Sequence, residues 1–420
     1  MTEPHALPLN AVADRIAAGE LAPSELLDSC LHRIAEREPV VQAWETLDAE
    51  NACATARSRD TEPPVGPLHG VPVGVKDIID VAGLPTRCGS VLRGHAPAGA
   101  DTRIVQRLRA AGAVVLGKTV TTELAYFTPG KTRNPHDPGR TPGGSSSGSA
   151  AAVADRMVPL AIGSQTAAST SRPAAYCGTA ALVTTPGRWH DPGITGLSPT
   201  LDSLGLFTRS TDELALAAAA LLDLQPPQPG VPALRWCDGA QFGDLESAMG
   251  DAVTAAVETL RRAGARVDEL PLPDRARRLG ALHRTVMAVE AARSLAAEAA
   301  TGRLSATLQA LLDEGATTPE AAYRAALEEA AAQRETMLAL LDGYQAVLAP
   351  AATGVAPQGA ATGSPDMSRP WQVLGLPSVT VPGLRDAAGL PLGVQLVGRP
   401  GAEAQLLAVA RWVEARLRGR

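Results

Sequence analysis

The side chains of this chain that could do chemistry together are one lysine and a set of serines in three short segments. Lys76 ends a run of alternating valines, residues 71–75, as in a β-strand. Serines follow glycines in Thr-Pro-Gly-Gly-Ser-Ser-Ser-Gly-Ser, residues 141–149, and close the segment Gly-Ser-Gln-Thr-Ala-Ala-Ser, residues 163–169. A neutral amine beside a serine hydroxyl can act as its base. The three segments therefore indicate a serine nucleophile that attacks acyl groups.

The two serine-rich segments have two interpretations. Runs of glycine and serine are most often flexible linkers. A linker rarely encloses a stretch such as Met-Val-Pro-Leu-Ala-Ile, residues 157–162, which is typical of a protein core. Glycine lets a backbone approach a ligand closely because it has no side chain. We therefore favour a loop, helix, strand and loop that bring backbone amides and hydroxyls to a substrate.

The lysine is open to more than one interpretation as well. A lysine at the end of a strand is more often a surface charge than a buried amine, and only burial would disfavour its charged form. Lys118, which follows the apolar run at residues 113–116, is a second candidate base by residue type. Residues 112–119 also match the phosphate-binding pattern Gly-x-x-x-x-Gly-Lys-Thr. We discount nucleotide binding, because a phosphate-binding loop follows its strand, whereas residues 113–116 are the strand itself.

The three segments together resemble the amidase signature family, hydrolases with a Ser–cis-Ser–Lys triad. The matching motifs are Gly-Val-Lys-Asp at 74–77, Pro-Gly-Gly-Ser-Ser at 142–146 and Gly-Ser-Gln-Thr-Ala-Ala-Ser at 163–169, in the family's order and spacing. Similarity is close over about residues 20 to 215, and it returns at 369–371 and 376–398. One such motif alone would be weak evidence, whereas three in order are strong evidence.

The resemblance implies a role for each catalytic residue. Ser169 would be the nucleophile, Lys76 the base that starts neutral, and Ser145, after a cis peptide with Gly144, the proton relay between them. The backbone N–H groups of Thr166, Ala167, Ala168 and Ser169 would form the oxyanion hole. The resemblance implies no metal and no cofactor.

The nucleophile segment departs from the family pattern at four positions. Ala167 and Ala168 stand where two glycines are usual, and a methyl group at 168 could crowd the backbone or disfavour a positive φ. Gln165 and Ser171 replace an aspartate and an arginine. The two charges are lost together, which is physically sensible because either alone would be buried and unpaired. We expect Gln165 to bind Ser171 or the backbone instead.

The resemblance also implies which residues contact the substrate. By position relative to the family motifs, the expected substrate-binding residues are Thr86, Ser90, Tyr126, Phe127 and Trp371. They suit a small or aryl carboxamide, hydrolysed to a carboxylate and ammonia. Arg172 and Arg369 could instead hold a substrate carboxylate, as in a carboxybiuret hydrolase, or serve as structural ion-pair partners. The resemblance is also compatible with the A-subunit of an amidotransferase, or with a weakened or non-catalytic family member.

The elements that must position these residues point to an α/β fold. The strand, helix and strand over residues 71–118 favour parallel pairing. From the family we expect a mixed, largely parallel sheet core flanked by helices, in a single domain over residues 1–420. Residues 277–342, rich in alanine, leucine, glutamate and arginine, are expected to form a helical insertion or lid.

Composition narrows the setting in which the protein works. Aromatic residues make up 3% of a chain that is 45% hydrophobic, so its core must be built from aliphatic side chains. A net charge of −6 argues against a nucleic-acid partner. Five scattered cysteines suit reduced thiols, and we expect a cytoplasmic protein without a signal peptide or membrane span. A homodimer is compatible with the sequence.

Overall fold

The computed structural model describes residues 2–188, 191–272 and 276–419. Its strands are β1 (Trp44–Leu47), β2 (Pro72–Lys76), β3 (Val114–Thr119), β4 (Leu160–Gln165), β5 (Ala180–Val183), β6 (Ser203–Thr208), β7 (Ala233–Trp236), β8 (Arg266–Glu269), β9 (Ala346–Pro350), β10 (Ser378–Arg385) and β11 (Pro391–Val397). Its helices are α1 (Leu9–Ala17), α2 (Pro23–Val41), α3 (Ala49–Thr61), α4 (Arg103–Ala110), α5 (Ser147–Ala154), α6 (Ser171–Cys177), α7 (Thr211–Leu222), α8 (Ser247–Arg262), α9 (Ala276–Ser294), α10 (Ala296–Ala299), α11 (Ala306–Thr317), α12 (Glu320–Leu340), α13 (Arg369–Val373) and α14 (Glu403–Leu417).

The described strands form one sheet in the order β1-β3-β2-β4-β6-β5-β10-β11-β9-β7-β8. The mixed α/β fold predicted from the sequence is confirmed, but the expectation of a largely parallel sheet is wrong. Of the ten pairings, four are parallel, and they lie in two groups, around β2 and around β7. The other six are antiparallel. The strand–helix–strand signal is local to residues 71–118, whereas strands such as β5, β6 and β10 join the sheet as antiparallel neighbours.

The central strands β2 and β4 run parallel and adjacent, with Val75 paired to Ile162. Both strands are almost entirely buried, as expected for a sheet covered on both faces. Because parallel strands end at the same edge of a sheet, Lys76 at the end of β2 lies beside the end of β4. The segment that carries the serines 164 and 169 begins at this edge.

The packing in the second half of β4 requires a glycine. A Cβ added to Gly163 would lie 2.6 Å from Phe207 and 2.8 Å from the Oγ of Ser146. A side chain at 163 would therefore displace the serine next to Ser145, and glycine here is a condition for bringing the two serine segments together.

The segment 277–342 is helical, as predicted, and contains most of α9 together with α10, α11 and α12. Helix α9 packs against α11, α12 and α13. That this segment is an insertion or lid, and that the chain is a single domain, stay predictions. In the described ranges, each helix is too short or too polar to cross a membrane.

Candidate active site

Lys76 is a buried amine and not a surface charge. Its side chain is fully buried, and its Nζ donates hydrogen bonds to Ser145 Oγ at 2.7 Å and Ser164 Oγ at 2.8 Å. Burial lowers the pKa of Lys76 to about 7, although the charge of Asp202 partly opposes that shift. The amine is therefore substantially neutral near pH 7, and a neutral amine has a lone pair with which to accept a proton.

Lys118, the second candidate base, has a different environment. Its Nζ lies 3.1 Å from Asp77 Oδ1 and donates to the hydroxyl of Thr86 at 2.8 Å. Its pKa is also lowered, first by burial, but the charge of Asp77 favours the protonated form. Lys118 lies in the interior of β3, which also rules out a phosphate-binding loop at this position.

The backbone is held in place on both sides of Ser145. The peptide between Gly144 and Ser145 is cis. The Gly144 carbonyl accepts a hydrogen bond from Arg172 at 2.6 Å, and the Ser145 carbonyl accepts one from the N–H of Thr122 at 3.3 Å. The next residue, Ser146, donates its N–H to the Ser169 carbonyl at 3.2 Å and thus ties the two serine segments together.

Ser169 lies in the loop between β4 and α6, and 8% of its surface is exposed. The loop is held by Gln165, whose Oε1 accepts the backbone N–H groups of Thr170 and Ser171, each at 3.0 Å. Gln165 Nε2 in turn donates to Gln372 Oε1 at 3.0 Å. The amide therefore binds the backbone, as expected for a chain that lacks the family's aspartate and arginine.

The two alanines before Ser169 do not strain this loop. Neither Ala167 nor Ala168 has a positive φ, so the conformation does not need glycine at these positions. Among the described residues, no protein group accepts a hydrogen bond from the backbone N–H of Ala167, Ala168 or Ser169. Because buried N–H groups are nearly always paired, three consecutive unpaired donors beside a nucleophile candidate are suited to bind an oxyanion.

Thr166, the first residue of this loop, is held from two sides. Its Oγ1 donates to Asp202 Oδ1 at 2.5 Å, and its carbonyl lies 2.8 Å from the Nε2 of His283. Neither Asp202 nor His283 is predicted from the sequence, and neither is Ser164, the second partner of Lys76. Ser164 could have been considered because it lies in the motif 163–169, five residues before Ser169. Asp202 and His283 come from distant segments and leave no such signal.

One cavity lies beside Ser145 and the loop 166–169. It is lined by Ala125, Tyr126, Phe127, Ser145, Thr166, Ala167, Ala168, Ser169, Arg172, Leu197, Met287 and Pro365. The rings of Tyr126 and Phe127 meet edge to face, with centroids 4.9 Å apart. The cavity thus offers hydroxyls and amides on one side and an apolar, partly aromatic wall on the other.

Arg172 is the one charged side chain in the lining of this cavity. It is 3% exposed, and its Nη atoms donate to the carbonyls of Gly144 and Gly363. Among the described residues, no carboxylate forms an ion pair with it, and burial lowers its pKa to about 10. Arg369, in contrast, pairs with Asp366 at 3.3 Å. The ion-pair interpretation therefore holds for Arg369, while Arg172 remains available to a substrate.

Three of the expected substrate-binding residues lie away from this cavity. Thr86 accepts the hydrogen bond from Lys118, and Ser90 lines a separate cavity together with Arg87 and Lys131. Trp371 is 2% exposed and packs edge to face against Phe242, with ring centroids 5.2 Å apart. Proximity to a family motif in sequence did not place these side chains against Ser169, whereas Tyr126 and Phe127 line the same cavity as Ser169.

The sequence model of the family described as Amidase matches residues 25–407, which is most of the chain. The chain belongs to the amidase family. The resemblance seen in three motifs thus extends over the sheet and its helices. The predicted enzyme class, a hydrolase acting on linear carbon–nitrogen amide bonds, is confirmed by this membership and by the family's solved structures.

Relatives of this amidase-family chain differ in what they act on. It is 32% identical to the A-subunit of a glutamyl-tRNA(Gln) amidotransferase from Roseiflexus sp. (strain RS-1), over 97% of this chain and 96% of that protein. It is also 32% identical to 2-amino-5-chloromuconic acid deaminase from Comamonas testosteroni, over 96% and 94% of the two chains. The solved structure of a peptide amidase from Stenotrophomonas maltophilia superposes with a TM-score of 0.83 at 30% identity, covering 99% of this chain and 98% of the other.

Proposed function

We propose that the protein hydrolyses a small or aryl carboxamide to a carboxylate and ammonia through an acyl-serine intermediate. The observation that carries the proposal is the fully buried Lys76 amine, 2.7 Å from Ser145 Oγ at the cavity that Ser169 also lines. A buried amine with a pKa of about 7 is a base matched to neutral pH.

The reaction needs a nucleophile, an acceptor for its proton, and donors for the developing negative charge. Ser169 Oγ attacks the amide carbon while its proton passes through Ser145 Oγ to Lys76 Nζ. The N–H groups of residues 166–169 bind the oxyanion. The same proton then returns to the leaving nitrogen, so that ammonia departs and the acyl group stays on Ser169. Water then attacks the ester carbon and gives a proton to Lys76 through Ser145, and that proton passes to Ser169 Oγ as the acid is released and ionises to the carboxylate.

A fluorophosphonate probe tests this assignment without knowledge of the substrate. We expect intact-mass analysis to show a single phosphonyl adduct on the native protein and none on Ser169→Ala. The exposed Ser294→Ala serves as the matched control and should label like the native protein. A screen of small and aryl amides for ammonia release would then follow. A native protein that takes no adduct would contradict autonomous hydrolysis and favour a partner-dependent or non-catalytic family member.

A second candidate, hydrolysis of an amide that also carries a carboxylate, is favoured by Arg172. This buried cation lines the cavity without an ion-pair partner among the described residues, and a substrate carboxylate would supply one. The Comamonas relative is named for a substrate that is itself an acid. The test compares benzamide with 4-carbamoylbenzoate, which differ by one carboxylate. A ratio of kcat/KM that favours the acid, and that falls in Arg172→Gln, would select this candidate over a neutral amide.

The setting of the reaction is also a proposal. All five cysteines are free thiols, which is compatible with a reducing cytoplasm. We propose a small-molecule amide as the partner, with no nucleic acid and no membrane involved, and a homodimer as an assembly to be tested by light scattering. An amidotransferase role would instead require a second protein, and would be revealed by glutaminase activity that appears only when that protein is added.

A further inference from the structure

His283 belongs to α9, far from the three catalytic motifs, yet it contacts the nucleophile loop. Its side chain is fully buried, and its Nε2 lies 2.8 Å from the carbonyl oxygen of Thr166. Because a carbonyl can only accept, Nε2 must carry the proton and Nδ1 must be the bare nitrogen. Among the described residues, Nδ1 has no hydrogen-bond partner. The buried side chain of His283 therefore has a single hydrogen bond. This bond fixes the direction of both the imidazole ring and the Thr166 carbonyl.

The imidazole stays neutral at working pH. Burial, followed by the positive charge of Arg369, lowers the pKa of His283 to about 3. A second proton would place a charge in the core close to another cation. His283 therefore acts as a fixed neutral donor, and proton transfer is left to Lys76.

The direction of the Thr166 carbonyl determines the direction of the next N–H. The peptide between Thr166 and Ala167 is trans, and in a planar trans peptide the C=O and N–H bonds point to opposite sides. With the carbonyl bound to His283 on α9, the N–H of Ala167 points away from that helix. Ala167 lines the cavity of Ser169, and no described protein group accepts its N–H.

We infer that His283 is a positioning residue for amide hydrolysis, which holds the 166–167 peptide so that the Ala167 N–H faces the oxyanion. The inference rests on the proposed function. Thr166 Oγ1, bound to Asp202 at 2.5 Å, anchors the side chain of the same residue, while His283 holds its carbonyl. Helix α9 also supplies Met287, one turn after His283, to the cavity wall. Helix α9, in the helical segment 277–342, thus supports the catalytic loop.

The test uses two substitutions of matched shape at position 283. Glutamine can present a side-chain N–H at about the reach of Nε2, whereas methionine has a similar shape but no donor. We expect His283→Met to slow phosphonylation of Ser169 and lower kcat by about 10- to 100-fold, somewhat less than loss of an oxyanion donor itself. His283→Gln should recover to within about fivefold of the native protein. KM should change less than threefold, and the pH midpoint of the rate should not move.

His136→Met is the matched control, because His136 Nε2 also contacts a backbone carbonyl, that of Cys177 at 2.9 Å, but outside the cavity. Phosphonylation of Ser169 in His136→Met should proceed at the native rate. If His283→Met fails to fold, His283→Asn gives the same comparison, since its shorter amide should not reach Thr166 and should react more slowly than His283→Gln.

Two results would overturn the inference while leaving the proposed function intact. One is a folded His283→Met that labels as fast as the native protein, and the other is equal impairment of the Gln and Met variants. Failure of the native protein to label would instead overturn the proposed function, and the inference with it.

Discussion

The Nζ of Lys76 lies 2.7 Å from the Oγ of Ser145, and both side chains are almost completely shielded from water. An ammonium ion in this place would lose its hydration, and the two serine hydroxyls that surround it compensate poorly for that loss. Burial therefore lowers the pKa of Lys76 to about 7, so that at pH 7 a large share of the amine is neutral, which is the form that a base must have before it accepts a proton.

The first prediction concerns the pH dependence of the rate. The base works when deprotonated, so activity should be low below the pKa of Lys76, about 7, rise through it, and level off by about pH 8.5. The measurement is the rate of Ser169 phosphonylation, and kcat/KM once a substrate is known, between pH 5.5 and 9. A rate that is flat across this range, or that keeps rising to pH 10, would rule out Lys76 as a base with a lowered pKa.

The second prediction concerns the pH at which the rate reaches half of its maximum, which is set by the pKa of Lys76. The negative charge of Asp202 raises the pKa of Lys76, so Asp202→Asn should lower it and shift the acid side of the rate profile to lower pH. The asparagine Oδ1 can still accept from Thr166 Oγ1, which keeps that anchor of the loop. Asp238→Asn, at an exposed residue, is the control and should leave the midpoint in place. A midpoint that rises in Asp202→Asn would contradict the electrostatic assignment.

The parts of this site that could be predicted are those held in short motifs. Lys76 ends a strand, Ser145 follows a glycine pair, and Ser169 follows a strand, and the structure brings all three to one edge of the sheet. Residue type and spacing carry that information because adjacent parallel strands end together. The backbone contacts of Gln165 were predictable for a related reason, since a buried polar amide must find partners nearby.

The parts that could not be predicted depend on contacts between distant segments. His283 lies 117 residues from Thr166, and no periodicity connects the two. Trp371 is apolar and large, which suits a pocket wall and a core equally, and its contact with Phe242 decides for the core. The direction of β5, β6 and β10 likewise depends on pairing between strands far apart in sequence, and the local strand–helix–strand signal at 71–118 does not report it.

The third prediction links Lys76 to stability. Its pKa is about 7 in the folded chain and 10.5 when exposed, so between these values the unfolded state binds more protons and stability rises with pH. Below pH 7 both states are protonated, and the folded state carries a buried charge. We therefore compare the free energy of unfolding of Lys76→Met minus that of the native protein. This difference should be more positive at pH 6 than at pH 10.

Urea denaturation at the two pH values measures this difference, and Lys76→Met should at the same time lose phosphonylation by about 10² to 10⁴-fold. Lys131→Met, at a lysine whose side chain is 47% exposed, is the control and should affect neither property. If the stability difference between native protein and Lys76→Met were the same at both pH values, the lysine would have an ordinary pKa.

The fourth prediction addresses the alanines that replace the family's glycines. Since Ala168 does not have a positive φ, glycine would relieve no strain there and would add freedom to the unfolded chain. Ala168→Gly should lower the free energy of unfolding by about 0.5 to 1 kcal/mol, and phosphonylation should fall up to threefold rather than increase. A tenfold gain in rate would show instead that the methyl group crowds the oxyanion site, and would support a weakened enzyme.

The fifth prediction concerns the amide that holds the nucleophile loop. Gln165→Met keeps the shape of the side chain but leaves the buried N–H groups of Thr170 and Ser171 without their acceptor. Each stranded donor costs about 1–3 kcal/mol, so we expect the two to lower the free energy of unfolding by roughly 2–6 kcal/mol in urea denaturation, together with slower labelling of Ser169. Gln165→Glu retains the acceptor oxygen but points a second oxygen at Gln372 Oε1, and its stability should therefore lie between those of Gln165→Met and the native protein.

The control is Gln309→Met, which removes an amide bonded to Asp313 in an exposed hydrogen bond and should cost less than about 0.5 kcal/mol. If Gln165→Met were as mild as that control, the loop would be held by the contacts of Thr166 and Ser146 alone, and the loss of the family's aspartate and arginine would need no compensation.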